Sequence, residues 1–120
     1  MRAYVINMDS AQDRWAAMEE TFAGTKIALQ RVPAVDGAAL SFPHPDYAEH
    51  LYYWLHGRES NPREVGCYLS HIAACRAFLA TDETHALICE DDITLGPDFE
   101  PVLADALTYA PRWNVLRLTG

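Results

Sequence analysis

Ala86-Leu87-Ile88-Cys89 runs without a charged residue into Glu90-Asp91-Asp92, three consecutive carboxylates. Neighbouring carboxylates repel one another unless a cation, strong donors or water screens them, so the triplet reads as a binding element. A hard divalent cation, Mn²⁺ or Mg²⁺, suits such a set. It takes one or two protein carboxylates and completes its shell with water and the oxygens of a substrate diphosphate. Held at Glu90, Asp91 and Asp92, it would neutralise a leaving diphosphate, which is Lewis-acid help to group transfer from a nucleotide-activated donor. On its own, an acidic triplet at a strand end is equally the solvated loop of an ordinary domain. Two other acid chemistries fit less well. Glu90-x-Asp92-x-Thr94 imitates the DxDxT loop of aspartyl-phosphate phosphotransferases, but Glu stands at the nucleophile position and Lys26 is the only lysine. The acid pocket of a response-regulator receiver needs its acids in a different order along the chain.

The elements that must position the triplet follow from periodicity. The apolar run from Ala86, bounded by His85 and the acids, predicts a fully buried strand of a largely parallel sheet, with the acids at its carboxyl end, where ligands of open α/β sheets bind. Tyr4–Met8 predicts a first strand. Ser10 with Asp13 predicts the cap of a helix whose apolar face is Trp15, Met18 and Phe22, with Gly24 as its stop. Ile27, Leu29 and Val32 form a second strand, and Asp36-Gly37 a turn. From Ala38 to Ser60 the pattern dissolves into a long loop with room for a short helix over Tyr47–Leu55. His44, His50 and His56 stand six apart there, a spacing that does not stack on one helical face. Asn61-Pro62-Arg63-Glu64 predicts a strong helix start, running to about Ala80 with Val65, Leu69, Ile72 and Leu79 buried. Gly96-Pro97 breaks the chain before an amphipathic helix over Phe99–Leu107, and Trp113–Leu118 predicts a last strand.

Strands alternating with helices predict an α/β fold, a mostly parallel sheet with helices on both faces and the strands at Tyr4, Leu87 and Leu116 near its centre. The expected core is Val5, Trp15, Phe22, Leu69, Ile72, Leu87, Ile88 and Leu116. A chain of 120 residues, 50% hydrophobic and 22% charged, is one globular domain able to bury a core without staples. Its formal net charge of -8 excludes nucleic acid as a partner, because phosphate binding needs clustered Lys and Arg. Cys67, Cys75 and Cys89 have no CxxC spacing and lie in apolar segments, which predicts reduced core residues. Without a signal region or a transmembrane run, the expected place is the cytoplasm.

Four motifs carry a family resemblance. Tyr4-Val5-Ile6-Asn7-Met8-Asp9-Ser10 with Asp13-Arg14, Arg31-Val32-Pro33-Ala34-Val35-Asp36-Gly37, Glu64-Val65-Gly66-Cys67-Tyr68-Leu69-Ser70-His71 and Leu87-Ile88-Cys89-Glu90-Asp91-Asp92 come in this order across nearly the whole chain. Together they resemble family 25 glycosyltransferases, the lipooligosaccharide galactosyltransferase family that also includes collagen-modifying galactosyltransferases. The resemblance implies a GT-A-like fold, a nucleotide-sugar donor such as UDP-galactose, a glycan acceptor, and a divalent metal at Glu90-Asp91-Asp92. It also implies donor-binding roles for Asn7, Asp9, Arg14, Asp36, Ser70 and His71, and work at the inner face of the inner membrane through peripheral association. The purely structural alternatives are that Asn7 satisfies a turn, that Arg14 pairs with an acid, and that His71 is a hydrogen-bonded core histidine. Cys89 departs from the family's usual Leu.

Members of the family extend well beyond this length, so the sequence reads as the donor half of such an enzyme, with no residue left to assign as catalytic base. A chain ending on an uncovered strand is expected to be part of something longer or to pair with a partner such as a second copy. The rival reading is a short non-catalytic paralogue or fragment that binds metal or nucleotide sugar, or an interaction module. A blander one is a soluble α/β domain whose acids bind cations adventitiously.

Overall fold

The computed structural model describes residues 1–118 and is an α/β arrangement built on three parallel strands. In chain order the elements are β1 (Arg2–Asn7), α1 (Gln12–Phe22), β2 (Ala28–Pro33), a 3-10 turn (Gly37–Ala39), α2 (Glu49–His56), α3 (Pro62–Leu79), β3 (Ala86–Glu90), α4 (Phe99–Thr108) and a second 3-10 turn (Ala110–Arg112). The strand order is β2-β1-β3, with Val5 paired to both Arg31 and Cys89.

Alternation along β1 assigns its side chains to two layers. Ala3 and Val5 join Met18, Phe22 and Cys89, and Trp15, Leu29, Leu87 and Phe99 pack around them, so this face lies under α1 and the start of α4. Tyr4 and Ile6 face the other way with Val32 and Ala74, under α3, where Phe78 meets the Tyr4 ring edge-on at 6.2 Å. Helices therefore cover both faces, as the strand-helix alternation requires. Val5, Phe22 and Leu69 are buried as expected, while Trp15, Ile72, Leu87 and Ile88 are half-buried.

Several sequence expectations are corrected. The central, fully covered strand is β1. β3 ends at Glu90, at the acids as expected, but it pairs only with β1 among the described residues, which leaves it half-buried rather than fully buried. Trp113–Leu118 forms no strand: these residues find no ladder partner, and a strand's backbone is stable only when paired. Trp113 is turned instead onto α4, its indole N–H donating to Ala106 O at 3.2 Å, and Leu116 is exposed rather than core. The uncovered face expected of that strand is therefore not formed among the described residues.

Ser10 does not cap α1. The chain first turns through Asp9 and Ser10, closed by Ala11 N–H to Met8 O at 2.9 Å and by the Gln12 amide to Asp9 O at 2.7 Å, so Ala11 takes the N-cap position. The Asn61 cap of α3 is realised, its side chain accepting from Arg63 N–H at 3.0 Å with Pro62 in the first turn. Leu79 lies at the exposed end of that helix, 76% accessible, because the buried stripe is Val65, Gly66, Leu69, Ser70 and Ala74. Cys67 and Cys75 are exposed on α3, and Cys89 alone of the three cysteines is buried.

Candidate functional site

The same alternation that builds the core decides where the acidic triplet points. Ile88 belongs to the α3 layer and Cys89 to the α1 layer, so Glu90 turns toward α3 and Asp91 toward α1. The three carboxylates therefore have three different environments.

Asp91 is buried and fully engaged. One oxygen accepts from the Asn7 amide, and the other stands 3.1 Å from Arg14 Nη1 on α1. Asn7, at the carboxyl end of β1 and 1% exposed, also donates to Ala11 O at 2.9 Å and accepts from Arg31 Nε at 2.7 Å. Arg31 Nη2 continues the chain of contacts to Asn7 O at 3.2 Å and to Asp9 Oδ1 at 2.7 Å. Asn7, Asp9, Arg14, Arg31 and Asp91 thus form one polar knot at the carboxyl ends of the three strands, the edge at which parallel sheets bind ligands. It is satisfied internally, and charge-assisted contacts of this kind are stronger than neutral ones. Arg14 remains 48% accessible, so its guanidinium can still meet a ligand from the solvent side.

Asp92 is exposed in the turn after β3, with no hydrogen bond or ion pair among the described residues. Glu90 is also exposed. Its Oε1 lies 3.5 Å from His71 Nε2 and 3.6 Å from Cys67 Sγ, both on α3. The Cys67 thiol is pushed up, first by its partial burial and then by the Glu90 charge. The Cys89 thiol is pushed up to about 11 by burial, with the Asp91 charge as second cause.

The other expected site residues divide between structure and surface. Asp36 caps the 3-10 turn, its side chain accepting from Ala38 N–H at 2.9 Å. Ser70 is buried: its hydroxyl accepts from Val35 N–H at 2.8 Å and donates to Gly66 O at 2.7 Å. Both of its roles are used up in fastening the Val35–Gly37 loop to α3. Two glycines complete that seam. A Cβ on Gly37 would stand 2.1 Å from Pro62 O, and one on Gly66 would stand 2.7 Å from Val35 O. Neither contact leaves room for a side chain. The motifs around Asp36 and His71 are thus halves of one joint, which carries His71 to the sheet edge.

Arg31 and Cys67 are the site residues that sequence reasoning passed over. Both stood inside quoted motifs. The signal for Arg31 is its place opposite Val5 in β2, two residues before that strand ends beside Asn7. The signal for Cys67 is its spacing of four from His71, which puts both on one helical face. His44, His50 and His56 join no such group among the described residues. No helix among them is long and apolar enough to cross a membrane.

Comparison with known proteins gives the same family that the motifs resemble. A family model described as glycosyltransferase family 25 (LPS biosynthesis protein) matches residues 1–120. The chain is 30% identical to a glycosyltransferase 25 family member of Aedes aegypti over 125 residues, covering 94% of this chain and 20% of that protein. It is 29% identical to procollagen galactosyltransferase 1 of Danio rerio over 99 residues, 75% of this chain and 16% of the relative. It is 27% identical to the inactive glycosyltransferase 25 family member 3 of Mus musculus over 127 residues, 96% of this chain and 21% of the relative. The chain spans about a fifth of the length of these curated relatives.

Proposed function

The chain belongs to glycosyltransferase family 25, and from that premise we propose that it forms the donor-binding portion of a GT-A-like transferase that moves a hexose, galactose, from a nucleotide diphosphate donor such as UDP-galactose to a lipooligosaccharide or other surface glycan. The observation that supports this reading most is the polar knot: Asn7, Arg14, Arg31 and Asp91 meet at the carboxyl edge of a parallel sheet, beside two carboxylates that have no strong partner. In this reading the half-exposed guanidinium of Arg14 meets the donor diphosphate. Asp91 acts as a positioning residue that fixes Arg14 and Asn7. Asp9 and Asp36, both exposed, are available to accept from ribose hydroxyls or a base N–H, His71 lines the α3 side, and Ser70 holds the loop that presents Asp36.

The donor set for a hard cation is oxygen, which Glu90 and Asp92 offer. Asp91 has both of its oxygens engaged, so it would support the ligands rather than supply one. Mn²⁺ or Mg²⁺ bound there would supply charge neutralisation for the leaving diphosphate. Placement in the cytoplasm, at the inner face of the inner membrane, completes the proposal.

Calorimetry with UDP tests the donor reading. UDP should bind markedly more tightly with Mn²⁺ than without it, and Asp92→Asn should remove that difference. An unchanged Mn²⁺-dependent affinity in Asp92→Asn would show that the triplet is not the ligand set. The second reading, donor binding without transfer, is favoured by the likeness to the inactive mouse relative over 96% of the chain. Labelled UDP-galactose with Mn²⁺ and a glycan acceptor separates the two, since turnover excludes the second.

A further inference from the structure

Among the described residues, one group of potential metal ligands converges in space, and it is not the acidic triplet. Cys67 Sγ, His71 Nε2 and a Glu90 carboxylate oxygen all lie within 4.8 Å of one another. We propose that Cys67, His71 and Glu90 form a site for Zn²⁺, distinct in chemistry from the hard-cation site of the donor reading, with which it shares Glu90.

Three observations support this. The first is the donor set: a thiolate, an imidazole and a carboxylate are the ligand types zinc takes, whereas Mg²⁺ and Mn²⁺ prefer oxygen throughout. The second is spacing. With zinc–sulfur bonds of about 2.3 Å and zinc–nitrogen or zinc–oxygen bonds of about 2.0–2.2 Å, tetrahedral ligands stand about 3.4–3.6 Å apart. His71 Nε2 and Cys67 Sγ lie 3.5 and 3.6 Å from Glu90 Oε1. Two of the three pairs thus stand at ligand separation already, and the third lies within 4.8 Å.

The third is rigidity. Cys67 and His71 are four apart on α3, one turn of one helix, and the seam of Gly37, Gly66 and Ser70 fixes that helix against the loop leading from β2. Glu90 comes from the last residue of β3, paired to Ile6 of the central strand. Two rigid elements thus present the ligands, and neither ligand side chain on α3 is needed in the core. When Zn²⁺ enters, the Cys67 S–H bond breaks, its proton goes to solvent and a zinc–sulfur bond forms. Three protein ligands leave a fourth position for water or a ligand oxygen.

Cobalt, which adopts the same geometry and absorbs light, provides the test. The full chain, free of any affinity tag and kept reduced, is titrated with Co²⁺. The expected result is a near-ultraviolet sulfur-to-cobalt charge-transfer band with strong visible tetrahedral bands, saturating at one ion per chain and abolished by added Zn²⁺. Cys67→Ser should remove the charge-transfer band. His71→Ala and Glu90→Gln should each weaken binding about tenfold or more. Cys75→Ser, which alters the other exposed cysteine of α3, should leave the spectrum unchanged. All four positions are exposed or half-exposed, so the variants should keep the parent's circular dichroism. Absence of the charge-transfer band in the parent chain, or its survival in Cys67→Ser, overturns the site. A positive cobalt spectrum with no Mn²⁺-dependent UDP binding would leave the zinc site standing and the donor reading fallen.

Discussion

Asp91 and Glu90 are adjacent in sequence and opposite in fate. Asp91 is 8% exposed, held by an amide and a guanidinium, and tied through Asn7 to Arg31 on the far strand. Glu90 faces solvent and touches only the tips of a thiol and an imidazole. The contrast shows that a run of like charges at a strand end is not one feature. The pleat sends one carboxylate into a structural knot and leaves its neighbours available for ligands, so removing Asp91 should cost fold and removing Glu90 should cost binding.

The largest way to break this contrast is to undock α3, which carries Cys67 and His71 toward Glu90. Gly37→Ala would drive a Cβ to 2.1 Å from Pro62 O, a backbone atom that cannot give way, and should cost about 3 kcal/mol or more in chemical denaturation. A variant as stable as the parent would show that the seam is looser than its distances. Next comes the knot. Asp91→Ala leaves Arg14 and a buried Asn7 amide without their acceptor and should cost about 2 kcal/mol, tempered by the access of Arg14 to water. A cost equal to that of Glu90→Gln would erase the distinction between the two acids.

The cysteines repeat the contrast. The buried Cys89 thiol is held up to about 11 from an ordinary value of 9.0, so the folded state keeps a proton that the unfolded chain gives up first. Its contribution to stability is complete below pH 9 and is lost as the pH rises from 9 through 11. The loss is on the order of 2 kcal/mol, read as a fall in the denaturation midpoint over that window. Cys89→Ala should flatten that fall. A thiol reagent at pH 8 should label Cys75 and Cys67 and spare Cys89 until the chain unfolds. The smallest effect sharpens the comparison most: Glu90→Gln should shift stability by no more than about 0.5 kcal/mol while weakening Co²⁺ binding, since an exposed side chain contributes little to the fold.

Much of the architecture was legible in the chain itself. The apolar runs at Tyr4 and Leu87, the Asn61-Pro62 helix start and the amphipathic stretch from Phe99 each carry a local signal strong enough to name an element, and their alternation implies the parallel sheet. The motifs around Asn7, Asp36, His71 and Glu90 likewise identify the family. Other features depend on partners that no local pattern names. Val115, Leu116 and Leu118 have strand composition, yet strand formation needs a neighbour to pair with, and none is found among the described residues. Ser10 has the chemistry of a cap, but Asn7 must reach Ala11 O, and the turn this requires starts the helix one residue later. Composition predicted that the cysteines are buried, whereas the angular position of Cys67 and Cys75 on α3 decides that they face outward. The sequence alone determined that three carboxylates would end a strand beside the family motifs. Only tertiary structure decided that Asp91 would be consumed by Asn7 and Arg14 and that Glu90 would meet Cys67 and His71. Period-two alternation fixes opposite directions for neighbouring residues, but what waits in each direction is set by helices docked from elsewhere in the chain.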